Sequence, residues 1–137
     1  MLDTGALITA IDRALNTISG LANRTVLDFI PPGWPTSGNR YPVCRYSAVA
    51  NPAIQYVGGR QDNPVYQFDV FSTTVTEAGS LQKSIATKFD RVLTGGIAVG
   101  QVLDASKIVT ERVAGTTQVP SNTIYHAIVL VMFREGR

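Results

Sequence analysis

The chain has 137 residues, enough for one domain with one hydrophobic core and too few for two. Apolar residues make up 45% and charged residues only 16%, against about 25% charged in an ordinary globular protein, which excludes disorder throughout. Twelve Lys+Arg against ten Asp+Glu leave a net charge of +2, too small a field for non-specific binding along a nucleic-acid backbone.

Cysteine and histidine use narrows the chemistry further. One cysteine, Cys44, excludes an internal disulfide, and one Cys with one His, His126, cannot complete a Cys/His zinc site within a subunit. The first residues lack the positive start of a secretory signal. The longest uncharged apolar stretch, Ile124 to Phe133, is about half the roughly 20 residues a membrane helix needs. An intracellular, soluble chain with no membrane partner is expected.

In chain order, Leu7, Ile8, Ile11, Leu15 and Ile18 recur at helical spacing, with Asp3 or Thr4 to cap the start and Gly20 to end the helix. Pro31 to Asn39 then concentrates Pro, Gly, Ser and Asn around Trp34, the composition of a long loop and a candidate contact surface. Strand signals follow at Tyr41 to Val49 and Ala53 to Val57, with a turn predicted over Gly58 to Pro64. The clearest strand is Val65 to Phe71, where Tyr66, Phe68 and Val70 share one face and Gln67 and Asp69 the other.

Thr74-Val75-Thr76-Glu77 has the spacing of a capping box. Ala78, Leu81, Ile85, Phe89 and Val92 continue it as an apolar helical stripe, for which Gly95-Gly96 is the expected stop. Two extended segments complete the chain, Ile97 to Val113, expected to bend or break near Asp104-Ala105-Ser106, and Asn122 to Arg134; a loop with Gly115 and Pro120 joins them. The predicted fold is α+β: an antiparallel sheet with an N-terminal helix and a central helix packed on one side, and a long loop between the first helix and the sheet. The expected division of the single domain, 1–137, is helix over 1–20, long loop and first extended segment over 21–50, and sheet with central helix over 51–137.

The last strand is apolar on both faces, with Ile124, Ile128, Leu130 and Met132 on one and Tyr125, Ala127, Val129, Val131 and Phe133 on the other. A helix layer on one side leaves the second face to a loop, to the first helix or to another subunit. Val129 and Val131 are therefore candidate interface residues. Trp34, Arg40, Tyr41 and Arg45 are further interface candidates, because Trp, Tyr and Arg are the usual anchors of protein contacts. The same aromatic and basic interleaving, through Tyr46, also suits stacking and phosphate contact on a single nucleic-acid strand, a rival reading that the small net charge disfavours.

No catalytic constellation emerges. His126 could serve as a general base but lies mid-strand, where a satisfied core or interface histidine is the simpler reading. Cys44 beside Arg45 could be an activated nucleophile only with His126 as its base; as a small buried hydrophobe it needs no partner. Asp69 and Glu77 are the carboxylates near the strand-to-helix turn, and no second member of an acid–base pair can be placed. Gly95 to Gly100 follows a helix and enters a strand, the reverse of the order that aims helix N–H groups at phosphate. No catalytic residue, metal or organic cofactor is expected.

Asn51-Pro52-Ala53-Ile54-Gln55-Tyr56-Val57, then Val65 to Phe71, then Thr76-Glu77-Ala78 opening a helix through Leu81, Ile85 and Leu93, resembles the tail terminator or tail completion family of tailed bacteriophages. The match covers residues 51 to 135 and the short N-terminal helix. The resemblance implies a structural virion protein of the neck, assembled in the host cytoplasm. Such a protein forms a homo-oligomeric ring, a hexamer, that caps the tail tube, ends its polymerisation and joins it to the head connector. The partners implied are other copies of the chain, the tail tube protein and a head connector or adaptor. Another neck or head–tail adaptor subunit is the alternative within the same class.

Overall fold

The computed structural model describes residues 2–31, 40–50, 53–56, 59–113 and 122–136. Helix α1 spans Thr4–Asn16 and β1 Thr25–Leu27; β2 (Val43–Ala50), β3 (Ala53–Tyr56), β4 (Gly59–Asp62) and β5 (Val65–Ser72) follow. Helix α2 spans Val75–Phe89, then come β6 (Leu93–Thr94), β7 (Ala98–Val113) and β8 (Asn122–Glu135). Six strands form one sheet in the order β1-β2-β5-β8-β7-β6, and β3 pairs with β4 separately. The α+β class with both helices on one side is as the sequence predicts. The sheet is mixed rather than purely antiparallel, because the short edge strand β1 runs parallel to β2.

The β2–β5 pairing ends at Ala50↔Val65, and the β3–β4 pairing resumes at Ala53↔Asp62 in the same register. The two pairs are thus successive parts of one long hairpin arm. Gly59 to Asp62 is strand β4, paired with β3, so the turn expected over Gly58 to Pro64 does not lie where the sequence predicts it. A second arm is the β7–β8 hairpin. Its register shifts between Val102 and Asp104 and again between Asp104 and Lys107, which places the expected irregularity of the long strand at Asp104 to Ser106.

Both helices start on side-chain caps. Asp3 accepts from the Ala6 N–H at 3.0 Å, and Thr74 accepts from the Glu77 N–H at 3.2 Å. The capping box of α2 is relayed: Glu77 accepts from the Ser72 hydroxyl at 2.6 Å, and the Thr74 N–H donates to that same Ser72 oxygen at 3.3 Å. The predicted stop of α2 needs correction. The helix ends at Phe89, and Gly95 and Gly96, with φ of 60° and 71°, instead form the β6–β7 turn, where left-handed backbone is needed and glycine supplies it without steric cost. Val92 therefore lies beyond the helix and is exposed. Helix α1 likewise ends before Gly20, at Asn16, where the Thr17 N–H caps backwards onto the carbonyls of Ala14 and Leu15.

The core lies between the helices and one sheet face. Leu7, Ile11 and Leu15 of α1 and Ala78, Leu81, Ile85 and Phe89 of α2 cover Tyr46, Tyr66, Phe68, Val70, Ala127, Val129, Val131 and Phe133. Through it runs a chain of ring contacts: Tyr46 stacks on Phe68, Phe68 on Phe89 at 5.1 Å, and Phe89 meets Phe133 edge-on at 5.6 Å. Val129 and Val131 have no exposed surface, so the side of β8 that carries them is core, not a contact surface. The other side of β8 carries the buried Ile124 and the half-buried His126, Ile128, Leu130 and Met132.

Candidate functional site

Strand alternation puts Arg45, Gln67, Asp69, Phe71 and His126 on the sheet face away from the helices, since their neighbours Cys44, Tyr46, Phe68, Val70 and Ala127 all enter the core. The register supplies the rest. Arg45 lies opposite Asp69 across β2–β5, His126 opposite Phe71 across β5–β8, and Glu111 opposite Ile124 across β7–β8, two residues from His126. Four strands thereby converge on one polar cluster.

Asp69 is its centre and is 1% exposed. Its Oδ2 accepts from Arg45 Nε and Nη2 at 3.3 and 3.1 Å; its Oδ1 accepts from Gln67 Nε2 at 2.8 Å and from His126 Nε2 at 2.6 Å. The other imidazole nitrogen, Nδ1, lies 3.1 Å from Glu111 Oε1. Carboxylate oxygens accept, so a protonated imidazole here can donate from both nitrogens, Nε2 to Asp69 and Nδ1 to Glu111. The Asp69 bond, then Glu111, raise the His126 pKa above its ordinary value against the opposing effect of burial. For Asp69, burial pushes the carboxyl up, but hydrogen bonds from His126 and Gln67 and the Arg45 charge outweigh it, and the net shift is downward.

Phe71 completes the cluster as an aromatic ring in contact with both His126 and Arg45. The His126 ring stacks on it at 4.4 Å between centroids, and the Arg45 guanidinium carbon lies 5.4 Å from its centroid. The arrangement fixes Arg45, Asp69, Glu111 and His126 side by side on one sheet face. Cys44 is on the opposite face, fully buried, its thiol pKa pushed up by burial and by Asp69 against the lowering effect of Arg45. The Cys44–His126 pairing that a nucleophile would need is thus not formed. Among the described residues, no group of three or more His, Cys, Asp or Glu side chains is placed to hold a metal ion. No described helix is long and apolar enough to cross a membrane.

The interface candidates from the sequence are separated by the fold. Trp34 lies outside the described residues, with most of the Pro31 to Asn39 segment. Arg40 is exposed and its guanidinium carbon sits 5.8 Å from the Tyr41 ring centroid. Arg45 belongs to the Asp69 cluster, while Val129 and Val131 belong to the core on the far side of the sheet. Asp69 does have a second carboxylate nearby, Glu111, joined to it through His126. Sequence reasoning missed that link because residues 69, 111 and 126 are related only by strand register. The alternation that put Asp69 on the face opposite Phe68 was its one visible sign.

No family model matches the chain, and no curated protein does. Among solved structures, the chain is similar to one in the virion of a native gene transfer agent particle, at 15% sequence identity and a TM-score of 0.62, with 96% of each chain covered. The two chains share a fold from end to end.

Proposed function

We propose that this chain is a structural protein of a tailed-phage-like virion, and that it forms a ring at the head-proximal end of the tail, where it caps the tail tube, ends its polymerisation and joins it to the head connector. The observation that carries this reading is the end-to-end likeness to a chain of a gene transfer agent virion, 96% of both chains in one alignment. The element order that the sequence shares with tail terminators supports the finer assignment. The role calls for surfaces rather than chemistry, so no catalytic residue, metal or cofactor is assigned. Self-association into a closed ring, a hexamer in this family, also protects sheet edges such as the outer side of β7 beyond Val102, which β6 at Ala98 and Val99 and the Asp90–Val92 segment at Gly100 and Val102 do not reach.

Within that role, the segment from Pro31 to Tyr41 is the proposed contact with a neighbouring ring, through Trp34, Arg40 and Tyr41 as anchors, while Arg45 is engaged by Asp69. Truncating Trp34 and Arg40 to Ala weakens attachment by roughly 1 to 4 kcal/mol for each true hot spot without unfolding the domain. The decisive experiment has two arms. Negative-stain imaging of the purified protein shows rings, and particles from a strain lacking the protein show unjoined heads or tails of irregular length. Normal, joined tails in that strain overturn the neck assignment.

A further inference from the structure

Two features at opposite edges of the sheet fit one another. At the β1 edge, Asp28 has a φ of 68°, and the Phe29 N–H donates to the Leu27 carbonyl at 2.8 Å, closing a γ-turn. The Asp28 N–H donates to the Tyr46 carbonyl at 2.9 Å, which ties this knuckle to β2. Phe29 is 65% exposed, the most exposed large hydrophobic side chain among the described residues, and the Asp28 carboxylate beside it is also exposed. An aromatic ring left in water on a backbone held by two hydrogen bonds is a preformed knob.

At the β6 edge, a groove of about 580 Å³ runs between α1 and the β6–β7 turn. Its walls are small on one side, Ala6, Ala10 and Ala14, and apolar on the other, where Leu93 is 52% exposed. Two cations, Arg13 and Lys88, line it, and no carboxylate does. Thr94 also lines it, 5% exposed, and its buried hydroxyl has no hydrogen-bond partner. The groove therefore offers apolar walls and positive charge.

We infer that the groove between α1 and the β6–β7 turn receives the Asp28–Phe29 knuckle of a second copy of this chain, Phe29 against the alanine wall and Asp28 toward Arg13 and Lys88. β1 and β6 are the two outer strands of the sheet, so knob and groove face away from each other. A two-fold dimer cannot satisfy both contacts at once, whereas head-to-tail repetition uses each once per subunit and closes into a ring when the rotation permits. The contact rests on the ring reading above and gives it a named joint.

The test is photo-crosslinking of the purified full chain with p-benzoylphenylalanine at position 29, in a mixture of isotopically light and heavy subunits. Adducts between light and heavy chains that map to residues 5–17 or 88–97 are the expected result. Adducts confined to one chain, or mapping elsewhere, overturn the contact. In parallel, F29A raises the concentration for half-assembly roughly tenfold or more, as loss of an aromatic anchor does. The conservative D28N, which keeps a residue tolerant of left-handed backbone, raises it by a smaller factor that vanishes at high salt. Rings formed by F29A at the wild-type concentration overturn the contact and leave the ring reading standing. A wild-type chain that stays monomeric alone and with tail tubes overturns both.

Discussion

Asp69 and His126, 57 residues apart in sequence, share a 2.6 Å hydrogen bond on the sheet face away from the helices. Adjacent strands bring them together, and the link makes the stability of the fold depend on pH in both directions. The raised pKa of His126 means its contribution is complete below its unfolded value of about 6.5 and is lost as pH rises through the folded pKa. The lowered pKa of Asp69 means its contribution is complete above its unfolded value of about 3.9 and is lost as pH falls through the folded pKa. Urea unfolding across pH should give a plateau between those limits, falling on each side, and His126→Gln should remove the upper fall. An unchanged upper limb in that variant contradicts the doubly held imidazolium.

Gln82 is a buried polar residue on α2 whose Nε2 donates to the carbonyls of Lys107 and Ile128 at 2.9 and 3.0 Å. These two residues face each other across β7–β8 at the second register shift. Gln82→Leu keeps the volume and removes both donors, so it should cost about 1–3 kcal/mol, read from the urea midpoint at unchanged slope. A midpoint equal to wild type means that the carbonyls find other donors.

Gly100 and Gly79 should respond oppositely to alanine. A Cβ at Gly100 would sit 2.3 Å from the Phe89 carbonyl oxygen, a backbone atom that cannot rotate away, so Gly100→Ala should destabilise by roughly 1–3 kcal/mol. At Gly79, inside α2, the added methyl meets Ile108 Cδ1 at 3.7 Å, an ordinary contact, and Gly79→Ala should stabilise by about 0.5–1 kcal/mol through helix propensity. Thermal melts of the two variants check both signs.

Val129→Asp should unfold the subunit, since a carboxylate at a position with no exposed surface has neither water nor a partner and costs several kcal/mol. Leu103→Asp, half-exposed on β7, should leave the far-ultraviolet circular dichroism spectrum intact. If Val129→Asp folds normally and only fails to assemble, the core placement of β8 is wrong.

Local pattern alone determined much of this protein. Alternation made Val65 to Phe71 a strand with Tyr66, Phe68 and Val70 inward, and helical spacing with a capping residue placed both helices, because side-chain periodicity and backbone caps act within a few residues. What periodicity could not decide was which of two apolar faces becomes core. Both sides of β8 carry aliphatic residues, and only the packing of α2 onto β8 turned the side with Val129 and Val131 inward and left Ile128, Leu130 and Met132 on the other. Gly95-Gly96 misled for a similar reason: a left-handed glycine suits a helix end and a hairpin turn equally, and the pairing of Leu93 and Thr94 with Val99 and Ala98 selected the hairpin. The cluster of Arg45, Asp69, Glu111 and His126 was decided wholly by tertiary structure, because cross-strand neighbours are set by register, and register depends on bulges and turns rather than on distance along the chain.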